Sequence, residues 1–179
     1  IKYKKLGPNK LNDLPKLFVD GRGNIDFENK GYHSDFFWLT NSDFPVKNVL
    51  CQYHSESEKK SLDEYGINTT SGNAKNNSEN AVKIKKIHIS NTSNNPQESK
   101  QIKAMLASYQ AIRTFWSIFF KTHNVKVNMI WHRYDNHHIS VADAIKDVGG
   151  ISVYWPLSFD GIRQISTNSD IDVAFCFSQ

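Results

Sequence analysis

The sequence predicts an α+β fold in which one long amphipathic helix and a short second helix cover a mostly antiparallel sheet. Three observations predict it: strand-like segments lie near both ends of the chain, one long segment has helical periodicity, and a capped short helix follows it. The 179 residues are long enough for one domain with its own core. We expect a single domain over 1–179, with a flexible polar excursion at about 55–97.

The N-terminal part is rich in aromatic residues and turns. The segments Leu17-Phe18-Val19 and Ile25-Asp26-Phe27 flank the sequence DGRGN, which predicts a β-hairpin with a glycine-containing loop. The short apolar run at 36–39 predicts a buried strand, and the alternation over 46–54 predicts another. These segments supply the first strands of the predicted sheet.

The composition changes over 55–97, where Ser, Asn, Glu, Lys and Gly predominate. Only 81–89 alternates in the manner of a strand, so most of this stretch is expected to be flexible. It carries three glycosylation sequons, at Asn68, Asn76 and Asn91. Such sequons also arise by chance in a chain so rich in Asn, Ser and Thr.

The clearest predicted element is a long helix. Asn95 is a good N-cap, Pro96 suits the first helical position, and Glu98 lies three residues after the cap. Apolar residues recur at helical spacing: Ile102, Met105, Leu106, Tyr109, Ile112, Phe115, Trp116, Phe119 and Phe120. This pattern predicts about 25 residues of amphipathic helix, with an aromatic half that faces the core or, alternatively, seeks a membrane.

The C-terminal third predicts three more strands and one short helix. Residues 125–134 alternate as a strand does, and Ser140 with Asp143 forms a capping box for the short helix. Segments 151–155 and 171–177 complete the predicted sheet.

The charge of the chain permits several partners and requires none. The formal net charge is +4 and the pI is about 9.0, with the basic residues scattered, so nucleic acid or an anionic surface is a possible partner. No apolar run approaches the roughly 18 residues of a membrane span, so no transmembrane segment is expected. No dinucleotide or phosphate-loop fingerprint occurs, and no cofactor is expected.

Three of the seven histidines lie in the stretch IWHRYDNHHISVAD at 130–143. A metal site built from His132, Asp135 and His137 or His138 needs the connecting loop to fold back. No metal-ligand spacing such as HExxH is present, so no metal is expected. These histidines are otherwise ordinary strand and loop residues.

A catalytic alternative rests on the sequence His138-Ile-Ser-Val141, which resembles the short His–apolar–Ser/Thr–apolar signature of two-histidine phosphoesterases. A partial second copy begins at His88. The resemblance implies that His88 and His138 act as general base and general acid on a phosphodiester. The motif of that family lies on strands, whereas Ser140 is predicted to cap a helix.

The two cysteines, Cys51 and Cys176, are far apart in sequence, which argues against a metal or redox motif. A disulfide between them would add on the order of 4–5 kcal/mol to stability by the loop-entropy model. The alternative is two buried thiols. The chain begins at Ile1 and not at Met, which suggests a processed product or a fragment.

The order of segments resembles that of secreted yeast killer-toxin precursors. An aromatic segment ending in Val49-Leu50-Cys51 is followed by a polar segment that carries sequons and Lys-Lys pairs. A helix-and-sheet segment then ends in Phe175-Cys176-Phe177. The resemblance implies a secreted toxin-like or binding protein, acting on a target cell or protein partner. The alternatives are a small histidine-dependent phosphodiesterase or ribonuclease and a structural subunit of a larger assembly, so enzymatic activity is left open.

Overall fold

The computed structural model describes residues 15–20, 24–28, 34–40, 42–72, 87, 93–131, 136–155 and 171–175. The strands are β1 Lys16–Val19, β2 Val49–Gln52, β3 Asn68–Thr70, β4 Val125–Ile130, β5 Ile151–Tyr154 and β6 Val173–Ala174. The α-helices are α1 Phe37–Thr40, α2 Glu56–Tyr65, α3 Pro96–Thr122 and α4 Asn136–Asp147, and a 3-10 turn at Val46–Asn48 precedes β2.

All six strands are parallel and form one sheet in the order β3-β2-β1-β4-β5-β6. The fold is therefore α/β, and the prediction of a mostly antiparallel α+β sheet is wrong. The predicted hairpin over 17–27 is also wrong, because β1 pairs with β2 and β4, and residues 25–27 form no strand. Parallel neighbours need crossover connections, and the connections that the structure describes contain helices.

Helices cover both faces of the sheet. On one face, Phe18 of β1 packs with Trp116 and Phe119 of α3 and with Ile145 of α4. On the other face, Leu17 and Val19 pack with Phe36 beside α1 and with Leu62 of α2. Adjacent residues of a strand point to opposite faces, so β1 contributes to both cores, and its strand is nearly continuous in apolar residues.

Helix α3 confirms the predicted long helix. Asn95 caps it by accepting a hydrogen bond from the backbone N–H of Gln97 at 2.9 Å. Its aromatic C-terminal half, including Trp116, Phe119 and Phe120, is buried in the core, which supports the core-facing alternative. No helix in the described part of the chain is long and apolar enough to cross a membrane.

The polar stretch at 55–97 begins with regular structure, contrary to the prediction. Ser55 caps α2 by accepting from the Glu58 N–H at 3.2 Å, and the Glu58 carboxylate accepts from the His54 N–H at 2.7 Å. Ser55 and Glu58 have the spacing of a capping box, although the Glu58 carboxylate bonds to the residue before the cap, and this local signal outweighs the polar composition. Strand β3 follows α2. Residues 73–86 and 88–92, including most of the predicted strand at 81–89, lie outside the described residues.

Two local predictions are also corrected. Residues 36–39 were predicted as a strand, but Phe37–Thr40 forms the short helix α1. Ser140 is not an N-cap, because α4 begins at Asn136 and Ser140 is buried within it. The strand predicted at 125–134 ends at Ile130, and the one predicted at 171–177 is described only as Val173–Ala174. The strand predicted from 151 is confirmed as β5.

Candidate active site

The sheet has a topological switch point between β1 and β4. After β1 the chain passes to the face covered by α1 and α2, whereas after β4 it passes to the face covered by α4. The two connections diverge, and at such a point of an open α/β sheet we expect a crevice at the carboxyl edge between the strands. Ligands of open α/β sheets generally bind in this crevice.

Asp20 lies at this point, directly after β1. Its backbone N–H donates to the Met129 carbonyl of β4 at 3.4 Å, which ties it to the switch point. It is two residues beyond Phe18, and residues two apart share a face, so its side chain is directed to the α4 side. The side chain keeps partial solvent exposure, as a group that exchanges protons with a ligand must.

Three histidines influence the pKa of the Asp20 carboxyl group. Burial raises the pKa of Asp20 above its ordinary value of 3.8, and the charges of His138, His137 and His54 partly offset this increase. Asp35 adds a smaller upward effect on the same pKa. Four side chains from three other parts of the chain therefore influence the pKa of Asp20.

The histidines come from two connections that leave the carboxyl edge. His54 follows β2, and His137 and His138 lie in the first turn of α4, where the helix dipole is positive. The rings of His137 and His138 are 5.7 Å apart, and His137 also meets the edge of Trp116 at 6.1 Å. Both side chains are half-buried, so they are packed in place and still accessible.

The segment 34–40 forms the opposite wall. The Asp35 carboxylate accepts from the Asn24 N–H at 3.1 Å, and the Asp35 carbonyl accepts from the Trp38 indole at 3.0 Å. The Phe37 ring stacks on Trp155, which follows β5, at 4.3 Å and 22°. Because Asp35 acts on Asp20 beside β1 and Phe37 reaches Trp155, this segment crosses the end of β4. The crevice therefore has a wall on each face of the sheet.

Among the residues predicted from sequence, the structure brings His137 and His138 into this group. His88, His132 and Asp135 lie outside the described residues. Asp20 was missed, because DGRGN was assigned to a hairpin. A polar residue directly after a buried parallel strand is the signal that could have found it.

No group of three or more His, Cys, Asp or Glu residues in the described ranges is arranged to hold a metal ion. The crevice group combines two carboxylates with imidazoles, a composition that suits proton transfer.

The described residues contain no disulfide bond. Cys51 is buried in β2, and Cys176 lies outside the described residues. The preceding Phe175 donates to the Tyr154 carbonyl at 2.9 Å, on the far side of the sheet. Four strand spacings separate β2 from β6, which is about 19 Å, against Cα separations of about 4.4–6.8 Å in a disulfide. The pairing stays a prediction, and the strand order weighs against it.

The candidate glycosylation site at Asn68 is engaged in the fold. Asn68 is part of β3, and its side-chain amide donates to the backbone carbonyls of Lys47 and Val49, the latter at 3.1 Å. The other candidates, Asn76 and Asn91, lie outside the described residues. A glycan at Asn68 would have to replace these contacts.

No family model matches the chain, and neither a curated protein nor a solved structure is detectably similar to it.

Proposed function

We propose that this protein is an enzyme that performs general acid–base chemistry on an anionic substrate bound at the β1–β4 switch point. Asp20 and His138 are the proposed proton-transfer residues, with the imidazoles of His137 and His54 as neighbours that can donate hydrogen bonds to the substrate. Cleavage of a phosphoester is the reaction class that fits this group best. The observation that carries the proposal is the partly buried Asp20 carboxyl group surrounded by three histidines at the expected ligand crevice.

The burial of Asp20 supports an acid–base role. Placing a carboxyl group where burial raises its pKa disfavours its ionised form, and such perturbed groups concentrate at functional sites. A raised pKa also brings a carboxylic acid closer to neutral pH, where it is a more effective proton donor. An imidazole can also act as a general acid or base, so Asp20 and His138 together supply both partners of a proton transfer.

The charge around the crevice supports an anionic substrate. His137 and His138 occupy the first turn of α4, where unpaired backbone N–H groups and the helix dipole favour negative charge. His54 adds a third imidazole from the next strand connection, and the whole chain carries a net positive charge. A phosphate group would meet donors that can neutralise its charge as a bond to it breaks.

This proposal revises the catalytic alternative from the sequence. His138 keeps its role, but its described partner is Asp20, since His88 lies outside the described residues. The sequence His138-Ile-Ser-Val141 lies in helix α4, so it does not share the strand placement of the two-histidine phosphoesterase motif. The secreted toxin-like function and the structural-subunit alternative stay predictions of the sequence.

The test is a phosphoesterase assay on the parent protein with bis-p-nitrophenyl phosphate and with single-stranded RNA. We expect Asp20→Asn and His138→Gln each to lower kcat about 100-fold or more, the usual contribution of a general acid or base. His123→Gln is the matched control, because His123 lies before β4 at the opposite edge of the sheet. Absence of turnover by the parent, or full activity in both site variants, would contradict the proposal.

A further inference from the structure

Two fully buried polar side chains lie next to each other inside the sheet and lack hydrogen-bond partners. Asn128 of β4 and Ser152 of β5 are register partners, and both side chains are 0% exposed. The described residues supply no partner for the Asn128 Nδ2 and Oδ1 atoms or for the Ser152 Oγ atom. Buried polar groups without partners are rare in native proteins, so this pair requires a physical explanation.

The pair lies under helix α4. Asn128 is the register partner of Phe18 on its other side, and Phe18 packs in the same cluster as Ala144 and Ile145 of α4. The carboxyl edge is a short distance away, because Asp20 is two residues beyond Phe18 on the same face, about 7 Å along the strand. The unpartnered atoms are thus sealed beneath the helix, below the crevice.

The chemistry of the orphaned atoms selects the ligand. The Nδ2 group of an asparagine only donates hydrogen bonds, whereas its Oδ1 atom only accepts them, and a serine hydroxyl does both. An anion would satisfy the donors alone, and a metal cation would satisfy the acceptors alone. A ligand that serves both must donate and accept, must be neutral and must be small enough for a sealed interior. Water meets all of these requirements.

We propose that the Asn128–Ser152 pair is an internal water site, in which a water molecule bridges the side-chain amide and the hydroxyl beneath α4. This inference is independent of the proposed enzymatic function, because the side-chain polar atoms of Asn128 and Ser152 form no hydrogen bond to Asp20 or to the histidines in the described part of the chain. The water joins β4 to β5 through side chains, in addition to their backbone ladder.

The direct test is a water-selective rotating-frame Overhauser experiment on ¹⁵N-labelled protein, read at the Asn128 side-chain amide protons. We expect a cross-peak from water in the parent protein. The same cross-peak should persist in Ser152→Ala, which removes the hydroxyl proton that could otherwise relay magnetisation from bulk water. Absence of the cross-peak in the parent, or its loss in Ser152→Ala, would overturn the water site in favour of a direct hydrogen bond or a dry pair.

A second variant should shift the melting temperature in opposite directions for a hydrated pair and for a dry pair. Asn128→Leu keeps the branching and the number of heavy atoms of the side chain and replaces its polar atoms with methyl groups. If water bridges the pair, the leucine displaces it and strands the Ser152 hydroxyl, so the melting temperature falls. If the amide is dry and unpaired, the leucine removes a destabilising group and the melting temperature rises, which would contradict the proposal.

Discussion

The ion pair between Arg113 of α3 and Asp147 of α4 should be one of the strongest side-chain contacts in the protein. The guanidinium donates through Nε at 2.7 Å and through Nη2 at 2.6 Å, so the pair is bidentate. The Ser117 hydroxyl also donates to the Asp147 carboxylate, at 3.2 Å. The two charged side chains are only 14% and 13% exposed, so water cannot replace a lost partner well.

We therefore expect Asp147→Ala to destabilise the protein by about 3 kcal/mol, the lower end of the range for breaking a buried pair, since some exposure remains. For a chain of this size, that corresponds to a decrease of roughly 6–12 °C in the melting temperature. Thermal and urea unfolding followed by circular dichroism measure both quantities. The double variant Arg113→Met with Asp147→Leu should recover most of the loss, because it leaves no buried charge unpaired.

The matched control is the exposed pair Lys60–Glu64, whose side chains are 78% and 67% exposed. Glu64→Ala should change stability by no more than about 0.5 kcal/mol, as is usual for i,i+4 surface pairs. The buried ion pair is not a major source of stability if Asp147→Ala loses no more stability than Glu64→Ala. The same conclusion follows if the double variant is less stable than Asp147→Ala alone.

Three further predictions concern titration and thiols. Folding raises the pKa of Asp20, so the contribution of this group to stability is complete below pH 3.8 and is lost as the pH rises through the folded-state pKa. Asp20→Asn should therefore raise the melting temperature at pH 7. An unchanged or lower melting temperature would contradict this. Burial, and secondly the charge of Lys16, lowers the pKa of His123, so the free energy of unfolding should decrease as the pH falls below about 6.5. This decrease should be smaller in His123→Gln. Equal pH profiles of unfolding for the parent and the variant would exclude this role of His123. The separation of Cys51 from β6 predicts that the intact mass equals that of the fully reduced chain, whereas a mass two daltons lower would show the disulfide.

Sequence signals that involve only nearby residues, such as helix caps and apolar periodicity, predicted individual helices and strands. The Asn95 cap and the apolar periodicity gave the start of α3 and its buried face, because both depend only on nearby residues. Composition misled the interpretation of α2, where the capping box of Ser55 and Glu58 was the more reliable signal. A signal that spans one helical turn is visible in sequence whether or not the segment is polar.

The sheet topology and the full site could not be predicted in the same way. Whether residues 17–19 pair with residues 25–27 in a hairpin or with β2 and β4 in a parallel sheet depends on which faces the helices bury, and periodicity in one strand does not carry that information. His138 was recognised as a candidate from its own motif. Its partner Asp20 could be found only after the parallel strand order had placed β1 beside β4.

If the histidines act on the Asp20 carboxyl group at the switch point, a carboxyl ¹³C titration of Asp20 will show it. We expect an Asp20 pKa above 3.8 in the parent protein, a further increase in His138→Gln, and no change in His123→Gln, because His123 lies at the opposite edge of the sheet. An Asp20 pKa at or below 3.8, or the same pKa in the parent and in His138→Gln, would rule out this acid–base group.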